Sequence, residues 1–202
     1  MNLNDFLIPT GDVCRRPGPF DRIVLSSRVR LARNLQDSPF PGRANKSERQ
    51  NLLQTMKPVI ESLRSMKEGF SEELSKLKRL EKQILVERHL ISRELASKSQ
   101  GSAIVLSVDE TFCVMINEED HLSMQAILPG LQIKEAWKSM NKMDTMLESK
   151  LPIAFSSDFG YLTACPTNLG TGIRVSAMLH LPGLVMAEHM QQTITAVNKL
   201  GL

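Results

Sequence analysis

Residues 103–117, AIVLSVDETFCVMIN, decide the fold that this sequence predicts. They contain two apolar runs, AIVLSV and TFCVMIN, which are rich in β-branched residues and are joined by Asp109 and Glu110. Two such runs on either side of a short polar turn are typical of an antiparallel β-hairpin. We therefore expect an antiparallel sheet, and the flanking sequence is interpreted around it.

Helical periodicity lies on both sides of the hairpin. The helix before it is expected to begin at a capping box formed by Asn45 and Glu48, and Pro58 should kink it or end its first part. The charged residues 72–96 have a mostly helical pattern. The apolar positions of the three predicted helices are Leu52, Leu53, Met56, Val59, Ile60, Leu63 and Met66; Ile133, Ala136, Trp137, Met140, Met143 and Leu147; and Met186, Ala187, Met190, Ile194 and Val197. Trp137 and the Met stripe beside it are expected in the core, and Gly201 is expected to cap the last helix.

Extended segments complete the outline. Residues 23–34 read as one strand, and residues 153–165 as two strands joined through residues 158–160. Residues 1–21 are expected to be irregular, and residues 166–172 to form a flexible polar loop. Strand pairs alternate with helices without a strict βαβ rhythm, which favours an α+β fold with an antiparallel sheet flanked by helices.

Composition excludes several classes of function. The 202 residues include 25 basic and 22 acidic ones, a net charge of +3 that is too balanced to suggest nucleic-acid binding. Three widely spaced cysteines (Cys14, Cys113 and Cys165) form no CxxC pair, so neither a disulfide framework nor a structural zinc site is expected. A reducing, cytoplasmic location fits this usage, and no apolar run suggests a membrane span.

The first candidate for chemistry is the pair Arg28 and Arg30. Side chains in a strand alternate between faces, so these two guanidiniums should project from the same face, about 7 Å apart. That spacing suits a polyphosphate, which offers several oxygens for charge-assisted hydrogen bonds. The alternative is two surface arginines on a solvated strand.

The second candidate is residues 117–121, NEEDH, directly after an apolar strand. Three consecutive carboxylates there can align a cationic substrate, act as a base or approach a metal. Since side chains in a strand alternate, Glu118 and Asp120 should face away from Glu119. The alternative is an ordinary acidic turn.

The third candidate is residues 165–174, CPTNLGTGIR, whose glycines allow the backbone to approach a ligand closely. The stretch lacks the lysine of a Walker A loop. By itself, Cys165 is better explained as a small buried apolar residue than as a reactive thiol.

Three strings, SSRVRLARN, VMINEEDHL and YLTACPTNLGTGIR, occur in this order at residues 26–34, 114–122 and 161–174. Together they resemble the ATP:guanido phosphotransferases, the family of creatine and arginine kinases. The resemblance implies a glutamine-synthetase-like catalytic domain over residues 22–202. About 25 residues precede Ser26, whereas creatine and arginine kinases carry a helical domain there. In this short N-terminal segment, and in the strings LVERHLIS and MLHLPGLV, the sequence resembles the bacterial protein-arginine kinases.

The resemblance implies roles for particular residues. Glu119 matches the acid that contacts the reacting guanidinium, and Cys165 matches the cysteine beside it. His89 matches a histidine that contacts the nucleotide. Two segments match those that bind ATP and its phosphates, namely Ser26, Ser27, Arg28, Val29 and Arg30, and Arg174, Val175, Ser176, Ala177 and Met178.

The implied reaction is phosphoryl transfer from ATP to arginine side chains in proteins. A guanidinium has a pKa above about 12 and is a poor nucleophile, so Glu119 is expected to orient it and accept its proton. Arg28, Arg30 and Arg174 are expected to bind the phosphates. Mg²⁺ can arrive on the nucleotide, so no protein metal site is expected. The resemblance also implies an activator protein, Clp-type protease machinery and a homodimer as partners.

Two departures favour an alternative, a catalytically impaired relative that binds nucleotide or protein. The family motif continues NEEDHLR with a phosphate-contacting arginine, where this sequence has Ser123. The family pattern also continues beyond a sequence like AVNKLGL with another ATP-contacting arginine, a glycine-rich loop and a second substrate-holding acid. We therefore expect the catalytic domain to be incomplete at Leu202.

Overall fold

The structure is built on a six-stranded antiparallel sheet. The computed structural model describes residues 16–98 and 100–201. Its strands are β1 (Val24–Arg33), β2 (Phe70–Glu73), β3 (Ala103–Leu106), β4 (Phe112–Ile116), β5 (Leu122–Pro129), β6 (Phe155–Ser156), β7 (Gly160–Tyr161) and β8 (Ile173–Leu179). The order in the main sheet is β2-β3-β4-β5-β1-β8, and β6 pairs with β7 separately. The predicted α+β class, with an antiparallel sheet flanked by helices, is confirmed.

Six α-helices of the described residues accompany the sheet. They are α1 (Lys46–Glu61), α2 (Arg79–Glu87), α3 (Arg93–Ser97), α4 (Ile133–Glu148), α5 (Pro182–Met186) and α6 (Met190–Lys199). None of the helices within the described residues is both long and apolar enough to cross a membrane.

The two faces of the β3–β4 hairpin pack against different helices. Val105 and Val114 point into a core that α1 and α4 complete, whereas Ile104 and Met115 point into a second core formed with α2 and α3. The second core ends at β4. The next strands carry polar side chains on the same face. Gln125 of β5 lies opposite Cys113 of the second core, and Arg30 of β1 lies opposite Gln125, so the three side chains share one face of the sheet. This half of the face is left for the site.

The predicted hairpin is confirmed, with β3 and β4 paired antiparallel from Ala103 with Ile116 to Leu106 with Cys113. The predicted strands within residues 153–165 also exist, although β6 and β7 have two residues each.

The capping box of α1 is confirmed. The Glu48 backbone N–H donates to Asn45 Oδ1 at 2.9 Å, and the Asn45 N–H donates to Glu48 Oε2 at 2.7 Å. Pro58 lies in the last turn of α1, which ends at Glu61. The predicted helix is therefore too long, and Met66 is buried from a turn instead.

Three further expectations are corrected. Residues 72–96 are not mostly one helical stretch, because they contain the end of β2 and two short helices. On α4, Met140 and Met143 are buried as expected, but Trp137 is 39% exposed, because it lies at the edge of the apolar face. At the end of the chain, α6 begins only at Met190, because Pro182–Met186 form the separate helix α5. The expected capping role of Gly201 is confirmed, since it directly follows the cap residue Leu200 with φ +80°.

Candidate active site

A cavity of about 390 Å³ opens on the face of the sheet that α2 and α3 leave uncovered. Its lining is divided by charge. Arg28, Arg30 and Arg174 come from β1 and β8, while Glu94, Glu118, Glu119 and Asp120 come from α3 and the turn after β4. All three motif regions found in the sequence therefore contribute to one cavity. Its arrangement can hold an anion and a cation side by side.

The basic part of the cavity depends on strand register. Arg30 lies opposite Arg174 across the β1–β8 ladder, and Arg28 lies opposite Ser176, to which its Nε donates at 3.4 Å. The expectation that Arg28 and Arg30 share a face agrees with this geometry.

Arg30 carries the clearest sign of an anion site. Its pKa is lowered to about 10, first because the guanidinium is partly buried and then because Arg28 and Arg174 repel its charge. Its Nε is buried and has no hydrogen-bond partner. Buried polar groups normally have partners, so a buried Nε without one, on a guanidinium repelled by two other arginines, favours an anionic ligand.

The acidic part is a turn rather than a strand. β4 ends at Ile116, and Asn117 has φ +55°. The expectation that Glu118 and Asp120 face away from Glu119 rested on strand alternation, which stops before them. All three residues line the cavity, although Asp120 is only 1% exposed and Glu119 is exposed.

Glu119 is the exposed carboxylate of this turn. Partial burial raises its pKa first, and the carboxylates of Asp120, Glu94 and Glu118 raise it further. Crowded carboxylates hold protons more strongly and attract a cationic partner. Glu94 was missed at the sequence level, because it lies on a charged helix that carries no motif.

Lys98 and Asn117 fix the acidic turn. Lys98 Nζ donates to the carbonyl oxygens of Asn117 and Glu118, and Asn117 Nδ2 donates to the carbonyl oxygens of Arg49 and Gly101 at 2.9 and 2.7 Å. The backbone beneath Glu119 is thus held from α1 and α3.

His89 joins the site from the end of α2. It lies in the left-handed region with φ +58°, and it lines both the main cavity and a second one of about 220 Å³. Ser26, Arg28, Ser176, Ala177 and Met178 line the second cavity with it. Since Arg28 and His89 belong to both, the two cavities adjoin.

Three residues of the matched segments have side chains on the opposite face. Ser27 Oγ donates to the Gly130 carbonyl at 2.8 Å and accepts from the Gln132 N–H at 2.9 Å. Val29 is fully buried in the core, and Val175 lies opposite Val29 on β8. These side chains support the strands that carry the arginines.

Cys165 lies beside the acidic turn. The neighbouring Ala164 donates its N–H to Asp120 Oδ1 at 2.7 Å, and the Cys165 Sγ lies 2.9 Å from Thr167 Oγ1. Residues 166–168 form a 3₁₀ turn within the predicted flexible loop. Gly172 lines the main cavity and also meets a packing need, because a Cβ there would lie 2.6 Å from the Ala32 carbonyl oxygen of β1.

The described residues contain no cluster of metal-binding side chains. Within residues 16–98 and 100–201, no group of three or more His, Cys, Asp and Glu side chains is placed to hold a metal ion.

The fold and this two-sided cavity define a class of protein. Residues 51–202 match the family model of the ATP:guanido phosphotransferase C-terminal catalytic domain, and the chain belongs to that family. This confirms the resemblance found in the sequence.

Curated relatives narrow the comparison. A protein-arginine kinase of Pelotomaculum thermopropionicum is 48% identical over 92% of this chain and 53% of its own length. One of Brevibacillus brevis is 42% identical over 96% of this chain and 55% of its own length. The chain spans about half the length of the curated relatives it matches.

Solved structures share the fold. The duplicated taurocyamine kinase of Schistosoma mansoni, with bound transition state analog components, matches with a TM-score of 0.76 and 25% identity over 95% of this chain and 28% of its own. A lombricine kinase matches with a TM-score of 0.70 and 24% identity, covering 87% of this chain and 53% of its own.

Proposed function

We propose that this chain forms the core of a kinase that transfers the γ-phosphoryl group of ATP to arginine side chains of proteins. The observation that carries the proposal is the buried, unpaired Arg30 Nε beside Arg28 and Arg174, in the same cavity as the turn that carries the exposed Glu119. One cavity thus offers a phosphate site and a guanidinium site. The protein-arginine kinases among its relatives support a protein-bound substrate.

The chemistry follows from these charges. Glu119 accepts a proton from the guanidinium, whose nitrogen then forms a bond to the γ-phosphorus. The bond between that phosphorus and the bridging oxygen breaks at the same time, and ADP leaves. Arg28, Arg30 and Arg174 stabilise the negative charge on the transferring group. The raised pKa of Glu119 makes it a stronger proton acceptor than an isolated glutamate.

Phosphate transfer from Mg-ATP to an arginine-rich protein tests the proposal. The label should be acid-labile and base-stable, as expected of an N–P bond. Glu119→Gln should lower kcat by about 10²–10⁴-fold, because the amide cannot accept the proton. Glu135→Gln, on the exposed side of α4, is the matched control and should leave kcat unchanged. Label that persists undiminished in Glu119→Gln contradicts the assignment of Glu119.

A specific residue favours the second candidate function, nucleotide or protein binding without efficient transfer. Ser123 lines the cavity on β5 at the position where the family pattern has an arginine. Losing one preorganised stabilising group typically costs about 10²–10³-fold in rate. Calorimetric titration shows ATP binding independently of turnover. Under this alternative the chain binds ATP, transfers little phosphate, and gains turnover in Ser123→Arg.

The partners implied by the resemblance are part of the same proposal. An activator protein, Clp-type protease machinery and a second copy of the chain are each testable by co-purification from a bacterial host with a tagged chain. Arginine-bearing substrate proteins should be retained in the presence of a nonhydrolysable ATP analogue.

A further inference from the structure

We propose that Asp120 and Asn34 are positioning residues that fix the turn bearing Glu119 against the loop bearing Cys165. The inference rests on the proposed function, and it assigns to both residues a role that no motif indicated. Neither is required to touch substrate. Their contribution is to hold two reacting regions, far apart in sequence, in one geometry.

Asp120 joins the two regions directly. Its carboxylate is 1% exposed, although the adjacent Glu119 is exposed. Asp120 Oδ1 accepts two hydrogen bonds, from Asn34 Nδ2 at 2.6 Å and from the Ala164 N–H at 2.7 Å. Ala164 directly precedes Cys165. Asp120 Oδ1 therefore accepts from both the end of β1 and the loop that bears Cys165.

Asn34 completes the connection from the end of β1. Its Nδ2 also donates to the Leu162 carbonyl at 3.0 Å, and its Oδ1 accepts from the His121 N–H at 2.9 Å. The side chain is 1% exposed. One amide thus binds the cysteine loop at Leu162 and the acidic turn at His121, while also contacting Asp120.

The rigidity of this arrangement comes from its surroundings. The His121 ring accepts from the Leu35 N–H at Nδ1 and pairs with the Pro39 carbonyl at Nε2, each at 3.0 Å. At the far end of the cysteine loop, Arg33 Nη1 donates to the Thr171 carbonyl at 3.0 Å. Both ends of residues 162–172 are therefore attached to the end of β1.

The geometry separates the role of Asp120 from that of Glu119. A proton acceptor must reach the guanidinium, whereas Asp120 is buried and its Oδ1 is bound by two donors. An asparagine at position 120 keeps an acceptor oxygen for both donors but loses the negative charge. The variant Asp120→Asn therefore distinguishes positioning from charge.

The experiment compares Asp120→Ala, Asp120→Asn and Asn34→Ala with the unmodified chain. Hydrogen exchange measured by mass spectrometry follows residues 117–121 and 162–168, calorimetry gives the Kd for ATP, and phosphate transfer gives kcat. Ile60→Ala is the control, because Ile60 is fully buried in α1 and its truncation destabilises the core elsewhere.

In Asp120→Ala and Asn34→Ala we expect exchange in both segments to rise at least about tenfold and kcat to fall about 10²-fold, as misplaced reacting groups typically cause. The Kd for ATP should change less than about twofold, because the arginines are untouched. Asp120→Asn should restore most of kcat and exchange protection. Ile60→Ala should leave both segments protected.

Two results overturn the proposal. One is unchanged exchange at residues 162–168 in Asp120→Ala, and the other is an Asp120→Asn variant as impaired as Asp120→Ala. If the unmodified chain transfers no phosphate, the proposed function fails, but the exchange measurements still decide whether Asp120 couples the two segments.

Discussion

His89 occupies a backbone position that glycine normally takes. Its N–H donates to the Val86 carbonyl and the Leu90 N–H donates to the Leu85 carbonyl, each at 3.0 Å, which is the hydrogen-bond pattern of a Schellman motif after α2. With φ +58°, a residue with a Cβ costs about 1 kcal/mol there. We predict that His89→Gly raises the free energy of unfolding by about 0.5–1 kcal/mol and weakens ATP binding.

Glu188 provides a matched control for this prediction. It follows α5 with φ +56°. The Glu188 N–H donates to the Val185 carbonyl and the His189 N–H donates to the Leu184 carbonyl, which is the same pattern. Glu188→Gly should also stabilise the chain but leave the Kd for ATP unchanged. Denaturant unfolding and calorimetry measure the two effects separately. Equal loss of ATP binding in both variants contradicts a nucleotide role for His89.

His121 makes stability depend on pH. Burial lowers its pKa, while the Pro39 carbonyl and the Asp120 carboxylate oppose that shift. The folded chain keeps the ring neutral, so that Nδ1 can accept from Leu35. Below a pH of about 6.5 the unfolded chain takes up a proton that the folded chain resists. The stabilisation is therefore complete above that pH and is lost as the pH falls toward the folded pKa.

Urea unfolding at pH 7.5 and 5.5 checks this prediction. The free energy of unfolding should fall more on acidification for the unmodified chain than for His121→Gln, which cannot titrate at that position. Carboxylates elsewhere contribute equally to both proteins, so the difference isolates His121. Equal pH dependence in the two proteins rules the effect out.

At the scale of residues, the sequence predicted that the two arginines share a strand face. It did not predict the hydrogen bonds and charges that surround the site. Alternation along a strand places Arg28 and Arg30 together, because it depends only on local geometry. Asn34 is hydrogen-bonded to Asp120, and the Glu94 charge acts on Glu119, across segments separated by tens of residues. Local periodicity holds no information about such contacts, so they required the structure.

At the scale of the elements, a buried ion pair joins α4 to β1 of the sheet, beside their apolar packing. Arg33 Nη2 lies 2.6 Å from Asp144 Oδ2, the two side chains are 3% and 7% exposed, and the Arg33 guanidinium lies 3.5 Å from the centre of the Tyr161 ring. We predict that Asp144→Ala lowers the free energy of unfolding by about 3–5 kcal/mol, because it leaves the buried Arg33 charge unpaired. Denaturant unfolding measures the loss.

The control removes both charges. Arg33→Met combined with Asp144→Leu should recover most of the loss, because a buried pair replaced by apolar side chains leaves no unpaired charge. A double variant as unstable as Asp144→Ala would show that other Arg33 contacts, such as its hydrogen bond to Thr171, account for the loss.

The elements differ in how well the sequence predicts them. The β3–β4 hairpin is rich in β-branched residues and was found, whereas Leu122–Pro129 and Ile173–Leu179 were assigned no element. The first of these, LSMQAILP, has one β-branched residue and little alternation, because β5 is central and mostly buried on both faces. Its position between β4 and β1 is set by pairing partners that local sequence does not identify.

Across the whole molecule, the site exists because the helical layers are unequal. α1 and α4 cover one face of the sheet, while the second core on the other face is confined to the half that contains β3 and β4. Polar side chains of β1 and β5 therefore remain accessible beside the acidic turn. The same asymmetry that limits the second core provides the cavity in which the proposed reaction takes place.

The last elements of the chain should be its least stable part. None of the described residues 173–201 is buried, and large apolar side chains there are exposed, with Met186 at 85% and Leu200 at 77%. Backbone segments with few buried contacts open locally at a low free-energy cost, which exposes their amide protons to exchange. We predict that α5 and α6 exchange amide hydrogen at least about tenfold faster than α1 and α4, whose inner faces are buried. Hydrogen exchange measured by mass spectrometry at neutral pH gives the comparison, and equal protection of α6 and α4 would contradict it.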